Sequence, residues 1–227
     1  MTGGTILDAG FFDRPSTELA PALVGMVLRR RHQGLWLAAR IVEAEAYSVD
    51  EKASHSSLGR TPSREPMFQA PGTLYLYHSR GGPSLNLSSR GAGDAVLVKS
   101  AEPWTDGLSG DEALQAMHAL NPRRDGGRRP RHRLCAGQSL LCRALDLQVR
   151  EWSGRCFDPA VFRLEDVGAR PAELVQAPRL GIPEGRDEHL PWRWIDADAL
   201  RSATRNPTTR RGAVEGTDWW RVPPPAD

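Results

Sequence analysis

Residues 26–47 read MVLRRR and LWLAARIVEAEAY, two strand-like runs separated by His32, Gln33 and Gly34, a spacing that predicts an antiparallel hairpin. Three shorter runs, TLYLY (73–77), SLNLS (84–88) and DAVLVKS (94–100), are each bounded by glycine or proline and predict further strands. Helical spacing follows Ser16 or Thr17, either of which can cap a short helix that Gly25 ends, and it recurs in DEALQAMHAL from Asp111 and GQSLLCRAL from Gly137. This order of elements predicts an α+β fold: one domain with a curved, mainly antiparallel β-sheet flanked by helices. Residues 1–222 are expected to form that domain, with 223–227 as a disordered proline-rich tail.

Side chains two residues apart on a strand share a face, so Ile41, Glu43, Glu45 and Tyr47 are expected to point one way, and Val42, Ala44 and Ala46 into the core. Two carboxylates and a phenol at a strand's end, followed by a polar loop through Asp50, Glu51 and His55, can serve as general acid or base. For two glutamates taken alone, a solvated face or a salt bridge is the plainer account. The same parity sets Tyr75 and Tyr77 opposite Leu74 and Leu76, and Asn86 opposite Leu85 and Leu87. Three tyrosines, a histidine and an asparagine could thus line one pocket, where rings stack on a purine and an amide reads its edge. Singly, each is as readily a packed strand residue; the combination is what points to a site.

Composition narrows the classes. The chain of 227 residues can bury one sizeable core, and no apolar run approaches the length of a bilayer span. The N-terminal residues lack a cationic segment followed by an apolar one, so a cytoplasmic protein with no membrane partner is expected. Cys135, Cys142 and Cys156 form no C-x-x-C pair and leave one unpaired under any connectivity, which points to reduced thiols. His132 precedes Cys135 by three residues, yet no second ligand pair follows, so no metal site is expected. A net charge of +2 does not by itself announce nucleic acid. The stretch 121–133, NPRRDGGRRPRHR, concentrates arginines, among them Arg128 and Arg129, against the single acid Asp125. It reads as a loose loop, suited either to phosphates or to solvent.

Four blocks in one order, IVEAEAY, ASHSSLGRTPSREPMFQAPGTLYLY, NLSSRGAGDAVLVKSAEP and LCAGQSLLCRAL, resemble the alkyladenine (3-methyladenine, methylpurine) DNA glycosylase family. Weaker likeness extends through LAPALVGMVL, APRLGI and PWRW. The resemblance implies the single-domain fold above and no metal or redox cofactor. Its partner would be double-stranded DNA carrying alkylated bases, met by a monomer. It further implies an enzyme of base-excision repair that flips out an alkylated purine and hydrolyses its N-glycosidic bond with a glutamate-activated water, leaving an abasic site. On that likeness Glu45, the second glutamate of the E-x-E-A-Y block, is the general base. Tyr47 and His55 form one wall of the base pocket, Tyr77 stacks opposite, Asn86 screens purine substituents, and the His55 main-chain amide donates to the base. Met67 falls in the DNA-facing loop with Arg64 nearby, and Arg128 and Arg129 are candidates for phosphate contacts.

Two positions depart from the family pattern. Arg80, Gly81 and Gly82 stand in a loop one residue shorter, where the family carries Tyr-Gly-Met with a tyrosine wedged into the gap left by the flipped nucleotide. Arg80 could fill that gap and meet a phosphate, whereas the two glycines argue for a mobile tip. Lys99 replaces an arginine, keeping the charge and losing the planar fork, and is expected to hold a phosphate or orient the water. These departures motivate an alternative, a damaged-DNA-binding sensor with the same fold and little catalysis.

Overall fold

The computed structural model describes residues 4–79 and 81–226; Arg80 lies outside the described residues. Among them run strands β1 (Thr5–Ile6), β2 (Val27–His32), β3 (Leu35–Tyr47), β4 (Leu74–Ser79), β5 (Gly82–Ser88), β6 (Ala95–Pro103), β7 (Phe162–Asp166), β8 (Leu174–Ala177), β9 (Arg193–Asp196) and β10 (Trp220–Val222). The helices are α1 (Ala9–Phe12), α2 (Ser16–Leu23), α3 (Asp111–Leu120), α4 (Gln138–Ala144) and α5 (Val149–Trp152). The strands make one sheet in the order β1-β7-β2-β3-β6-β5-β4, and β9, β8 and β10 branch from β3. Every pairing between these strands is antiparallel, which gives the α+β architecture expected.

The β2–β3 hairpin turns on Gln33 and Gly34 alone, both at positive φ, and His32 joins the ladder opposite Leu35. Two residues with positive φ match the twist of the flanking strands. Helix α2 is not capped as expected. Pro15 occupies the N-cap position with no side-chain bond, and Ser16 is already inside the helix and buried. The fixed φ of proline suits entry into a helix without a hydroxyl cap. After the helix Gly25 has φ +97° and packs against the backbone of Ala169 and Arg170, where a side chain would collide.

The long β3 positions the chemistry. Its pairing with β6 is irregular between Ile41 and Ala44, with Glu43 set opposite Ser100 and the original register resumed at Ala44. The shift of one at Glu43 is undone at Ala44, so the irregularity falls on both strands, and the inward-facing parity reverses on β6, between Ala101 and Val98, as it does on β3. Leu37, Ala39 and Ile41 therefore enter the core before the bulge, and Ala44 and Ala46 enter it afterwards. The alternation expected of Ile41 with Glu43, Glu45 and Tyr47 thus fails at Ile41.

One face of the sheet is sealed by helices. Leu19 and Leu23 of α2, Met117 of α3, Leu141 and Cys142 of α4 and Trp152 of α5 share a core with Leu74, Leu76, Leu85, Leu87, Val96 and Val98. Cys135 and Cys142 are buried free thiols, and burial pushes the Cys142 thiol up to about 12, so it stays protonated. No helix among the described residues is long and apolar enough to cross a membrane.

The stretch 121–133 is tied down more than its composition suggests. Asn121 Nδ2 donates to the Leu134 and Leu140 carbonyls, Arg129 to those of Asn121 and Pro122, Arg131 to that of Pro103, and Arg133 to that of Ala203. Arginines spent on carbonyls make it a braced loop.

A buried cluster ties this frame together. Arg29 is fully buried, with Nε on Glu165 Oε2 at 2.6 Å, Nη1 on Ser109 Oγ at 2.6 Å and Nη2 paired with Asp106. Burial pushes the Asp106 carboxyl upward, but bonds from Arg29, the Ser109 amide, Trp104 and the Leu108 amide outweigh it and draw it down to about 2. Its stabilisation is complete above the unfolded value of about 3.9 and is lost as pH falls through about 2. Asp106→Asn should accordingly flatten the dependence of thermal stability on pH in that window. A melt series in which the variant and wild type lose stability in parallel would exclude this role.

Candidate active site

The strands β3 to β6 and the start of α4 enclose a cavity of about 400 Å³ bordered by Tyr47, His55, Tyr75, Tyr77, Asn86, Lys99 and Gln138, with Leu180 to Pro183 and Arg186 closing one side. Strand parity places the aromatic groups there. Leu74 and Leu76 face the helices, so Tyr75 and Tyr77 emerge on the opposite face, stacked with ring centroids 5.5 Å apart at 26°. Asn86, opposite Tyr75 in the ladder, is 6% exposed and donates from Nδ2 to the Tyr75 carbonyl at 3.1 Å.

His55 arrives from the loop after β3. Its Nδ1 lies 3.1 Å from the Tyr75 hydroxyl and its ring meets that of Tyr77 at 4.4 Å, inclined by 64°. A flat base held between two rings needs about 3.5 Å on each side. His55 and Tyr77 therefore form one continuous surface here rather than opposite walls. Burial, with the charges of Arg64 and Arg186, lowers the His55 pKa and keeps the imidazole neutral at neutral pH.

Glu45 has no exposed surface and sits one layer behind the cavity wall. Its Oε2 accepts the Tyr47 hydroxyl at 2.9 Å and Lys99 Nζ at 3.2 Å, and its Oε1 accepts the Leu180 amide at 3.3 Å. All three partners border the cavity. Burial alone would push this carboxyl upward; the charges of Lys99 and Arg193 and the bonds from Tyr47 and Leu180 outweigh it, so its pKa lies below the ordinary value. The group is a carboxylate at neutral pH. Burial and the Glu45 charge push the Tyr47 phenol well up, so it remains a donor.

The neighbouring carboxylate has another task. Glu43 accepts Arg193 Nε at 2.6 Å and both the amide and hydroxyl of Thr204 at 2.8 Å, with no exposed surface. The salt-bridge account therefore holds for Glu43.

The expected DNA contacts fare unevenly. Met67 is 3% exposed and packs with Tyr75 and Ala95, so it supports the pocket from beneath instead of meeting solvent. Arg64 stays at the rim, donating from Nη1 to the Leu58 and Gly59 carbonyls. Arg128 lies beside Gln115 and His118, away from the cavity, and Arg129 is bound to its own loop. Gly81 and Gly82 are not a loose tip. Ser139 of α4 sits 3.1 Å from where a Gly81 Cβ would be, Gly82 has φ +131°, and Arg143 Nη2 holds the Gly81 carbonyl at 2.7 Å.

Two contributions escape strand parity. The segment 179–186 brings Arg179 and the Leu180 amide across more than 130 residues of chain, and only the APRLGI likeness marks it. Gln138 at the start of α4 borders the cavity with a buried Oε1 that has no partner among the described residues.

The site is thus an aromatic cavity backed by one ionised, sequestered carboxylate on an antiparallel sheet. Residues 10–199 match the model of the methylpurine-DNA glycosylase family. A Pseudomonas aeruginosa PAO1 protein provisionally named a 3-methyladenine DNA glycosylase is 52% identical over 209 residues, 92% of this chain and 87% of its own. One of the same provisional name from Pseudomonas syringae pv. syringae B728a is 52% identical over 215 residues, 95% and 96% of the two chains. The mouse DNA-3-methyladenine glycosylase is 39% identical over 186 residues, 76% of this chain and 53% of its own. This chain belongs to the methylpurine-DNA glycosylase family.

Proposed function

We propose that the chain is a DNA glycosylase that takes an alkylated purine, of the 3-methyladenine or 7-methylguanine type, out of the duplex into the cavity and hydrolyses its N-glycosidic bond. The observation that carries this reading is Glu45, a carboxylate kept ionised in a buried position by Lys99, Tyr47 and the Leu180 amide, next to a cavity faced with neutral rings.

Alkylation at N3 or N7 makes the purine cationic, so the C1′–N bond breaks with the electron pair leaving on the base, which departs neutral. Neutral aromatic faces, Tyr77 and the imidazole of His55 among them, favour such an electron-poor ring. The sugar left behind carries positive charge, which the Glu45 carboxylate stabilises. Water adds to C1′ and gives its proton to Glu45, as at the base of an inverting glycosidase. Lys99 must first yield. It covers Oε2 and its side chain is 13% exposed, so a backbone phosphate can draw the ammonium away and free that oxygen.

Lys99→Met should lower the single-turnover rate by roughly ten- to a hundredfold. It should also move upward the acidic limb of the pH profile of release rate at subsaturating enzyme, which reports the free protein, where Lys99 is the largest influence holding the Glu45 carboxyl down. An unmoved limb would show that Lys99 does not act on Glu45. The function itself is tested by release of free base from methylated duplex DNA, scored as abasic sites by alkaline strand scission. Release would support the glycosylase. Damage-selective binding without release would favour a sensor.

A further inference from the structure

Behind the Tyr47 wall lies a group that never reaches the cavity. The Arg179 guanidinium is stacked on the Tyr47 ring at 4.6 Å and within 5.3 Å of the Trp192 ring, and it is 4% exposed. One edge is paired with both oxygens of Glu51, and Nη1 also donates to the Ala46 carbonyl at 2.8 Å. Tyr47 borders the cavity and Arg179 does not. The phenol of that same Tyr47 donates to Glu45, as does the amide of Leu180, the residue next to Arg179.

A tyrosine on the last residue of a strand has two soft torsions and no neighbour beyond it in the ladder. Something has to hold its ring plane if it is to be a wall and a hydrogen-bond donor together. We infer that Arg179, clamped by Glu51, is a positioning residue that fixes Tyr47, and through it both the stacking face offered to the flipped base and the bond to Glu45. The planar fork is what suits it, because only a guanidinium can stack on a ring while its edge engages a carboxylate in two places. Glu51 has a second consequence. It neutralises the guanidinium, so a cationic purine can lie on the other face of Tyr47 without meeting an unpaired charge beneath it.

This inference rests on the glycosylase reading. Its test is single-turnover base release from methylated duplex DNA by wild type, Arg179→Lys, Arg179→Met, Tyr47→Phe and the double variant Arg179→Met/Tyr47→Phe, with duplex binding measured in parallel. Arg179 is too buried to touch phosphate, so binding should stay within about twofold while the release rate of Arg179→Met falls about tenfold. The acidic limb should move up in pH for Arg179→Met and for Tyr47→Phe. Their effects on the limb should not add, because both act through one hydrogen bond. Arg179→Lys should behave like Arg179→Met, since it keeps the charge and loses the fork. Full activity in Arg179→Lys, additive shifts, or rate and binding falling together would overturn the assignment. Should Arg179→Met fail to fold, Glu51→Gln retains the guanidinium but removes the charged clamp that holds it, and is expected to show a rate loss and limb shift in the same direction; wild-type behaviour in that variant overturns the assignment as well. Absence of release by wild type would instead overturn the glycosylase reading, and this inference with it.

Discussion

Glu45→Gln should bind a methylated duplex much as wild type does and release base about a thousandfold more slowly, the scale expected for loss of a general base that also faces a developing cation. The amide keeps the shape, and its single oxygen can still accept from one of the two donors, Tyr47 Oη or the Leu180 amide, which bond different oxygens of the carboxylate. What disappears is the negative charge and the ability to take a proton from water. Fold should survive, because Gln removes a buried charge rather than adding one, although Lys99 loses its partner at 3.2 Å. Single-turnover release against far-ultraviolet circular dichroism separates the two effects. A folded Glu45→Gln protein with undiminished release would mean that another group activates the water.

The other glutamate of the motif should give the opposite result. Glu43→Ala leaves Arg193 buried without its carboxylate and deprives Thr204 of an acceptor. Breaking a buried ion pair by deleting one partner costs about 3–5 kcal/mol. For a chain of this size that is a fall in melting temperature on the order of 10 °C. Base release per folded molecule should fall far less than in Glu45→Gln. The urea midpoint should drop with little change in slope, since the surface exposed on unfolding is the same. Unaltered stability would mean that Arg193 finds compensation elsewhere, such as the Arg205 carbonyl it already contacts.

These contrasting roles mark how far the sequence could be read. Alternation placed Tyr75 and Tyr77 correctly against Leu74 and Leu76, because β4 and β5 run without irregularity from Leu74 to Ser79 against Leu87 to Gly82. The same rule misplaced Ile41, since the bulge in β3 is a property of its register with β6, some sixty residues away, and leaves no local signature. Glu43 and Glu45 were legible as a pair. Which of them is an ion-pair partner and which a candidate base depends on Arg193, Thr204, Lys99 and Leu180, none of them neighbours in sequence. For the same reason nothing in MVLRRR indicates that Arg29 is buried against Glu165 and Asp106. The arginines of 121–133 show the converse error. Their charge was visible, but their engagement with carbonyls was not, because main-chain acceptors have no residue code. Family likeness named Glu45, Tyr47, His55, Tyr77 and Asn86 as candidates, and the structure gathers the last four around one cavity with Glu45 just behind it.

The irregularity in β3 also carries a lesson about length. Up to Ile41 the strand keeps time with the core on odd numbers, and from Ala44 on even ones. The two halves of the strand, both feeding the same core, are thus two clocks set one tick apart. Remove a single residue between them and the later half must either turn Glu43 and Glu45 into a hydrocarbon interior or slide along β6 and β9. A strand of this kind can change its letters far more freely than it can change its count.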